Sequence, residues 1–486
     1  MGIAFVPLYI KYIGIEAYGL IGIFAILQAS LSLLDMGLKP ALGREMARYT
    51  AGAHDPQSIR DLLRSVEIIG VAISIVVAIG IWAAAGWLAS DWVTAKKLPT
   101  TVVSHAFVAM GIVIALRFVE SIYVSSIVGL QRQVLESVIG SVMATARGLG
   151  AVVVLAWLSP TVEAYFAWQG FISLLTVPIL AACVYRTLPR ADRAARFSWP
   201  AIAGIRQFAL GVMAITLLAL LLTQIDKILL SRILSLKNFA YYALAGVVTN
   251  ALYVLASPIS AAFYPQFTEL ATRGDPLALQ RSYHQAAQLA TVVLGGAAIA
   301  LAIFSSEALA VWTQNPELVV QVAPLVRVLA LGTLLNGLMG IPYQMQLAHG
   351  WTGLTIKVNV VAVAILVPAI FFVVPRYGAI GAAWVWVVLN VGYLVVDIYF
   401  MHRRILRSEK WPWYRQDVLA PLTAAIAAGL ACRALLQAEP DKMAELGMLT
   451  LAAALIWLAA ALFAPIVRAQ LGSHVHIVID RLRRRA

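Results

Sequence analysis

The chain has 486 residues, 62% of them hydrophobic and 12% charged, with a mean hydropathy of +0.86 and a formal net charge of +13. A soluble domain would carry roughly a quarter charged residues, so a soluble globular protein is excluded. Alternating ten-residue strand patterns are absent, which excludes an outer-membrane barrel. The Lys and Arg residues lie mainly between apolar blocks, a topology signal rather than the footprint of a nucleic-acid partner.

The class that remains is an all-α polytopic membrane protein. Apolar runs of about twenty residues match a hydrocarbon core about 30 Å thick at 1.5 Å of rise per residue. In chain order the runs cover 2–10, 18–40, 66–89, 101–128, 135–158 and 162–185. After a polar break come 207–231, 239–266, 285–306, 324–348, 353–374 and 378–400, and after a second break 416–436 and 446–467. The first run is too short to cross a bilayer and lacks the length and cleavage site of a signal peptide. It is expected to be a first helix truncated by a start site placed too far downstream, or else a helix lying shallowly against its neighbours.

The breaks divide the chain into an N-terminal lobe (1–190), a linker (191–206), a C-terminal lobe (207–402), a loop (403–415) and an additional helix pair with a basic tail (416–486). No connection is long enough for an extramembrane catalytic domain, which points to a transporter rather than an enzyme. Of the 36 Lys and Arg residues, 22 fall after even-numbered segments and in the tail, 7 after odd-numbered segments, and seven inside segments. The positive-inside rule therefore predicts that both termini are cytoplasmic, and the tail Arg481-Leu482-Arg483-Arg484-Arg485 suits an anionic inner leaflet. Cys183 and Cys432 both lie in apolar segments, so no disulfide or zinc site is expected. The closest histidine pair, His474 and His476, reads as incidental, and no cofactor motif is present.

The two halves carry a faint repeat. At an offset of 224, six of the thirty positions 18–47 match: Tyr18, Leu20, Gly22, Leu31, Glu45 and Ala47. Both copies run in the same direction, as in transporters built from parallel repeats. Within the first copy, Tyr12-Ile13-Gly14-Ile15-Glu16-Ala17-Tyr18-Gly19-Leu20 and then Leu34-Asp35-Met36-Gly37-Leu38 resemble the opening of Wzx-type polysaccharide-biosynthesis flippases. These belong to the multidrug/oligosaccharidyl-lipid/polysaccharide exporter superfamily. Thr223-Gln224-Ile225-Asp226-Lys227-Ile228-Leu229-Leu230, followed by Tyr242 and Pro265-Gln266-Phe267, is similar to the start of that family's second lobe. The resemblance implies two six-helix lobes around a central cavity, with the last two helices as an extra pair. It also implies flipping of undecaprenyl-diphosphate-linked oligosaccharide at the bacterial inner membrane by alternating access, for surface polysaccharide. Membrane lipids and other polysaccharide assembly proteins are the further partners it suggests. A full first helix is normal in the family, so the short first run is a departure.

Ionisable groups inside a span cost about 2.5–3.5 kcal/mol each on insertion scales, so they face an aqueous cavity or a partner. Arg117, Arg147, Lys227 and Arg327 are basic residues inside segments and are the candidates for such a role. A guanidinium stays charged and its planar fork pairs with phosphate oxygens, which makes Arg117 and Arg147 candidates to hold a substrate diphosphate. For Arg117 the alternative is an ion pair with Glu120, three residues on. Arg147 has no acidic residue within four positions, so it is the preferred position for testing a cationic cavity. Lys227 and Arg327 are weaker candidates that also suit snorkelling to the interface. Glu120 and Asp226 are candidates for a coupling ion, Na+ or H+, with ion pairing as the alternative. Asp35 reads as a packing or polar-cluster residue, and Asp397 as an ordinary residue near the cytoplasmic boundary.

Gly140, Ala144 and Gly148 form a small-residue face that permits close helix approach, and Trp82, Trp87, Trp92, Trp411 and Trp413 read as interfacial anchors. Three rival functions remain. A multidrug or cation antiporter of the same superfamily calls for an acidic cavity, and a peptidoglycan-precursor flippase for a basic one. A membrane glycosyl-transfer enzyme calls for a large outer loop; the connection 307–323 carries only Glu307 and Glu317 as charges.

Overall fold

A computed structural model describes residues 2–31, 37–50, 52, 54–189, 193–351, 353–435 and 442–470. Asp35, the His474–His476 pair and the arginine tail lie outside them. The first half contains α1 (Gly2–Leu31), α2 (Leu38–Thr50), α3 (Pro56–Trp87), α4 (Thr100–Gly129), α5 (Gln133–Val153), α6 (Val162–Thr187) and α7 (Trp199–Ile233). The second contains α8 (Leu236–Arg273), α9 (Pro276–Ala290), α10 (Gly296–Ile303), α11 (Ser305–Thr313), α12 (Pro316–Leu338), α13 (Gly340–Ala348) and α14 (Gly353–Arg404). The chain continues through α15 (Lys410–Pro412), α16 (Ala420–Leu435) and α17 (Lys442–Leu462). π-helical turns extend α3 through Leu88–Trp92 and α5 through Val154–Leu158, and join α9 to α10 and α15 to α16.

Eleven helices among the described residues are long and apolar enough to cross a membrane. Two of these, α1 and α14, are not straight rods. In α14, Gly378 has φ 62° and ψ −149°, a left-handed conformation that glycine adopts without a Cβ clash. Tyr393 donates its hydroxyl to Asn359 Oδ1 at 2.8 Å, whereas a straight helix would separate those residues by about 51 Å. The chain must therefore reverse at Gly378, and α14 is a helical hairpin. The same logic applies to α1. Gly14 has φ 80°; Phe5 packs against Gly148; and Gln28 reaches Arg117, which in turn meets Gln169 beside the Arg147 carbonyl. Phe5 and Gln28 would lie about 34 Å apart along a straight helix, more than this chain of contacts spans. The run expected at 2–10 is thus the first arm of a hairpin with its turn near Gly14. That arm is about 18 Å long, shorter than the hydrocarbon core.

Several helices begin well before their apolar runs, because polar caps start them. Asp55 accepts hydrogen bonds from the Gln57 and Ser58 amides ahead of α3. Ser198, Asp275 and Asn315 cap α7, α9 and α12 in the same way, each with Pro in the first turn. A side-chain oxygen at the N-cap satisfies an amide that the helix leaves open, and Pro fits there because it has no N–H.

The described residues divide into two compact units, Met1–Ala240 and Tyr241–Ala486. In the first, α2, α3, α4, α6 and the start of α7 share a core that includes Leu42, Met46, Leu63 and Val184. The sequence places α7 at the head of the C-terminal lobe; its packing partners within the first unit are α1, α2 and α3. The segment ahead of α7 is strapped to α3: Asp61 accepts from Arg193 Nη2 at 2.6 Å and from the Arg196 amide at 2.9 Å, and Ser65 Oγ accepts from the Ser198 amide.

The second unit packs α9, α10, α12, α14, α16 and α17 around Phe267, Tyr283, Trp413 and Ile456. Here α16 and α17, the extra pair, dock on α10, where Gly295 and Gly296 leave room for Leu422 and Trp457. The Trp457 indole donates to the Val293 carbonyl at 3.0 Å. Gln288 bonds both Asp417 and the Ile466 amide, and Arg433 pairs with Glu307. Trp413 is not an interfacial anchor. The π-helical turn carries it into the core, 1% exposed, between His402 and Tyr414.

The hairpin yields a direct prediction. With Cys183 and Cys432 replaced, Asn359→Cys combined with Tyr393→Cys should be joined within one chain by a short bifunctional thiol reagent. Failure to crosslink in the membrane-embedded protein would rule the hairpin out.

Candidate functional site

The first unit gathers a polar cluster from four helices. Arg117 and Glu120 project from α4 and Arg147 from α5. From α6 come Gln169, Ser173 and Thr176, and from the second arm of α1 come Phe24 and Gln28. Glu120, Gln169, Ser173 and Thr176 are all buried, with relative exposures of 8% or less. At this depth in an apolar bundle, each ionised group needs hydrogen-bonding partners to offset lost hydration.

Glu120 does not pair with Arg117. Both its oxygens accept from Arg147 Nη2, each at 2.7 Å, and Ser173 and Thr176 hydroxyls accept from the same nitrogen at 3.3 and 3.4 Å. The spacing of three residues is permissive, but Arg before Glu is the poorer order on a helix, and α5 brings a second guanidinium to the carboxylate. Arg147, isolated in sequence, is therefore the residue with the ion pair.

Arg117 is held differently. Its Nη1 donates to Gln28 Oε1 at 2.6 Å and its Nη2 to Gln169 Oε1 at 2.9 Å, with the Phe24 ring 5.0 Å from the guanidinium carbon. These acceptors are neutral amides. They orient the guanidinium without cancelling its charge. Two guanidiniums against one carboxylate leave the cluster with one net positive charge. The Nε atoms of Arg117 and Arg147 are both buried and have no hydrogen-bond partner among the described residues. The arrangement can position a cation toward an anionic group while a fixed ion pair anchors the helices behind it.

The other sequence candidates do not join this cluster. Lys227 donates from Nζ to the Thr223 carbonyl of its own helix at 2.7 Å, and Asp226 beside it is half-buried. Arg327 belongs to the second unit, well inside α12; it is exposed and donates to Ser305 and Ser306 Oγ at 2.9 and 3.0 Å. Asp397 is not an ordinary boundary residue. It is 5% exposed and accepts from Gln346 Nε2 at 2.9 Å, and its Oδ1 has no partner among the described residues. The second unit also holds a buried amide relay, in which Tyr253 donates to Asn336 and Asn336 to Asn390, each at 2.8 Å.

Gln28, Gln169, Ser173 and Thr176 escape a search confined to charged residues. Three of them had a signal: positions 169, 173 and 176 repeat at four and three residues, which is one polar face on an apolar helix. Gln28 stands alone on its helix and had none.

Glu120→Gln should strand Arg147 as an unpaired buried charge, at a cost of about 3–5 kcal/mol. The double variant Glu120→Leu/Arg147→Met removes both charges and should recover most of that loss. Denaturant unfolding of the detergent-solubilised protein measures it; a double variant no more stable than Glu120→Gln would show that the pair is uncoupled.

No curated protein sequence matches the chain. Among solved structures, the chain is similar to the lipid II flippase MurJ in its inward closed conformation, at 10% identity and a TM-score of 0.70, covering 96% of this chain and 97% of that one. It is also similar to an inward-facing multidrug resistance MATE family transporter of the MOP superfamily, at 14% identity and a TM-score of 0.67, covering 83% and 93% of the two chains. A MOP superfamily transporter from Pyrococcus furiosus follows at 13% identity and a TM-score of 0.57, covering 84% and 95%. At such identities the likeness establishes a shared fold, that of MOP superfamily membrane transporters. The family described as polysaccharide biosynthesis protein matches residues 1–271, more than half of the sequence, and the chain is a multi-pass membrane protein belonging to that family.

Proposed function

We propose that the protein is a flippase for undecaprenyl-diphosphate-linked oligosaccharide repeat units. It carries them across the bacterial inner membrane by alternating access, with both termini cytoplasmic, to supply a surface polysaccharide such as O-antigen or exopolysaccharide. Membership of the polysaccharide biosynthesis family supports the glycan, and the asymmetry of Lys and Arg between connections supports the orientation.

The observation that carries the proposal is the environment of Arg117. A guanidinium kept at membrane depth on two neutral amides retains its full charge and has donors suited to phosphate oxygens. A diphosphate linkage is the anionic part of the cargo that must pass this depth. We assign Arg117 the contact with that group, and Arg147 a joint role in contact and in anchoring through Glu120. Lys227 and Arg327, engaged by a backbone carbonyl and by serines, are given secondary roles along the path. Of the two coupling-ion candidates, Glu120 has both oxygens on Arg147, so we retain Asp226 for Na+ or H+.

A second reading is a peptidoglycan-precursor flippase, favoured by the match to a lipid II flippase over nearly the whole of both chains. It places the same diphosphate on the same arginine; the family match favours the oligosaccharide. A cation antiporter is disfavoured, because a cluster with one net positive charge repels cationic drugs.

The structure also selects the variant for the test. Arg147→Ala would leave Glu120 unpaired and confound function with stability, whereas Arg117 has no carboxylate partner among the described residues. In cells that depend on this gene, Arg117→Gln should reduce surface polysaccharide at least tenfold with the protein level unchanged. Full retention of polysaccharide would overturn the assignment.

A further inference from the structure

The two arms of α14 enclose an apolar trough with a volume of about 560 Å³. Leu354, Val358 and Ile365 lie along one wall and Leu389, Val396 and Phe400 along the other. The spacings of four, seven and eleven residues put each set on a single helix face. Each wall runs over twelve residues, 354 to 365 and 389 to 400, or about 16 Å end to end, half the thickness of a hydrocarbon core. Toward the Gly378 turn the trough ends, where Gly381 packs against Val373 and Ile370, Val374 and Ala383 are buried. Midway along it, Gly392 has no heavy atom within 4 Å of the place a Cβ would occupy. The space is open rather than filled by side chains.

The other end is basic. Lys357 is exposed on the wall one turn in, and Arg404 is exposed with its guanidinium carbon 4.5 Å from the Trp351 ring that closes the mouth. Among the described residues, no acidic side chain lines the trough. The nearby carboxylates are turned inward, Asp397 to Gln346 and Glu409 to His284.

We propose that this trough holds one acyl chain of an anionic glycerophospholipid, with its phosphate at Lys357 and Arg404. The apolar walls suit a hydrocarbon chain and the basic mouth suits a phosphate at the membrane surface, where a tryptophan is also at home. The closed end fixes the chain length. A trough one leaflet deep accommodates an acyl chain, whereas a polyprenyl chain far longer than one leaflet overruns it. The lipid fills the open space between the arms beside the Tyr393–Asn359 hydrogen bond that joins them. It is distinct from the diphosphate contact assigned to Arg117 in the first unit.

Native mass spectrometry of the full chain in mild detergent tests this, with phosphatidylglycerol and phosphatidylcholine as probes. The wild-type protein should retain one phosphatidylglycerol in preference to phosphatidylcholine. Lys357→Gln should weaken that retention about fivefold, the loss of one cation near an anionic headgroup. Gly392→Leu, which fills the trough and favours the helix, should weaken retention of either lipid. Equal retention of both lipids by the wild-type protein, or unchanged retention in Lys357→Gln, would overturn the proposal. So would a retained molecule identified as a polyprenyl phosphate.

Discussion

In a bilayer core, water is not there to solvate a charge, and this constraint shapes the first unit. Each ionised side chain within the spans must find partners from neighbouring helices. Glu120 and Arg147 meet this demand by pairing across α4 and α5, with Ser173 and Thr176 of α6 adding acceptors. That arrangement fixes three helices at one depth and gives Arg117 a defined neighbourhood. The two Nη atoms of Arg117 are held by amides alone, so its charge is not cancelled by a carboxylate. A purely structural arginine would be better served by a carboxylate. The amide cradle is the physical basis for reading the residue as functional.

Most of the bundle was legible in the sequence because apolar length is a strong signal. The fourteen runs correspond to the arms of α1 and α14 and to the long helices between and after them. What the apolar window did not see were helix starts. Asp55-Pro56, Asp275-Pro276 and Asn315-Pro316 are cap-and-proline signatures, and they open helices several residues ahead of the apolar stretch. The tight reversals at Gly14 and Gly378 depend on positive φ, which the sequence indicates only as a glycine near a polar break. The run at 2–10 is the first arm of such a hairpin.

The site was legible in part. Buried arginines stand out in a chain this apolar, and Arg117 and Arg147 were found on that ground. Their partners were not, because pairing across helices depends on which faces meet, and sequence spacing speaks only for one helix. Glu120 therefore looked like the neighbour of Arg117, when it belongs to Arg147. Trp413 and Asp397 show the same limit: each lies near a span end in sequence, yet packing carries both inside. The hairpin of α14 shows the converse, since its exposed apolar faces follow simple helical periodicity while the space between them exists only in three dimensions.

The central claim is that Arg117 handles the diphosphate of a lipid-linked glycan. The most direct measurement is transbilayer movement in proteoliposomes containing a polyprenyl-diphosphate-linked oligosaccharide, read with a membrane-impermeant glycan-binding probe. The account predicts rapid movement with the wild-type protein, slower movement when the linkage is a monophosphate, and a loss of at least tenfold in Arg117→Gln on the diphosphate. Equal rates for wild type and Arg117→Gln on the diphosphate-linked substrate would contradict it.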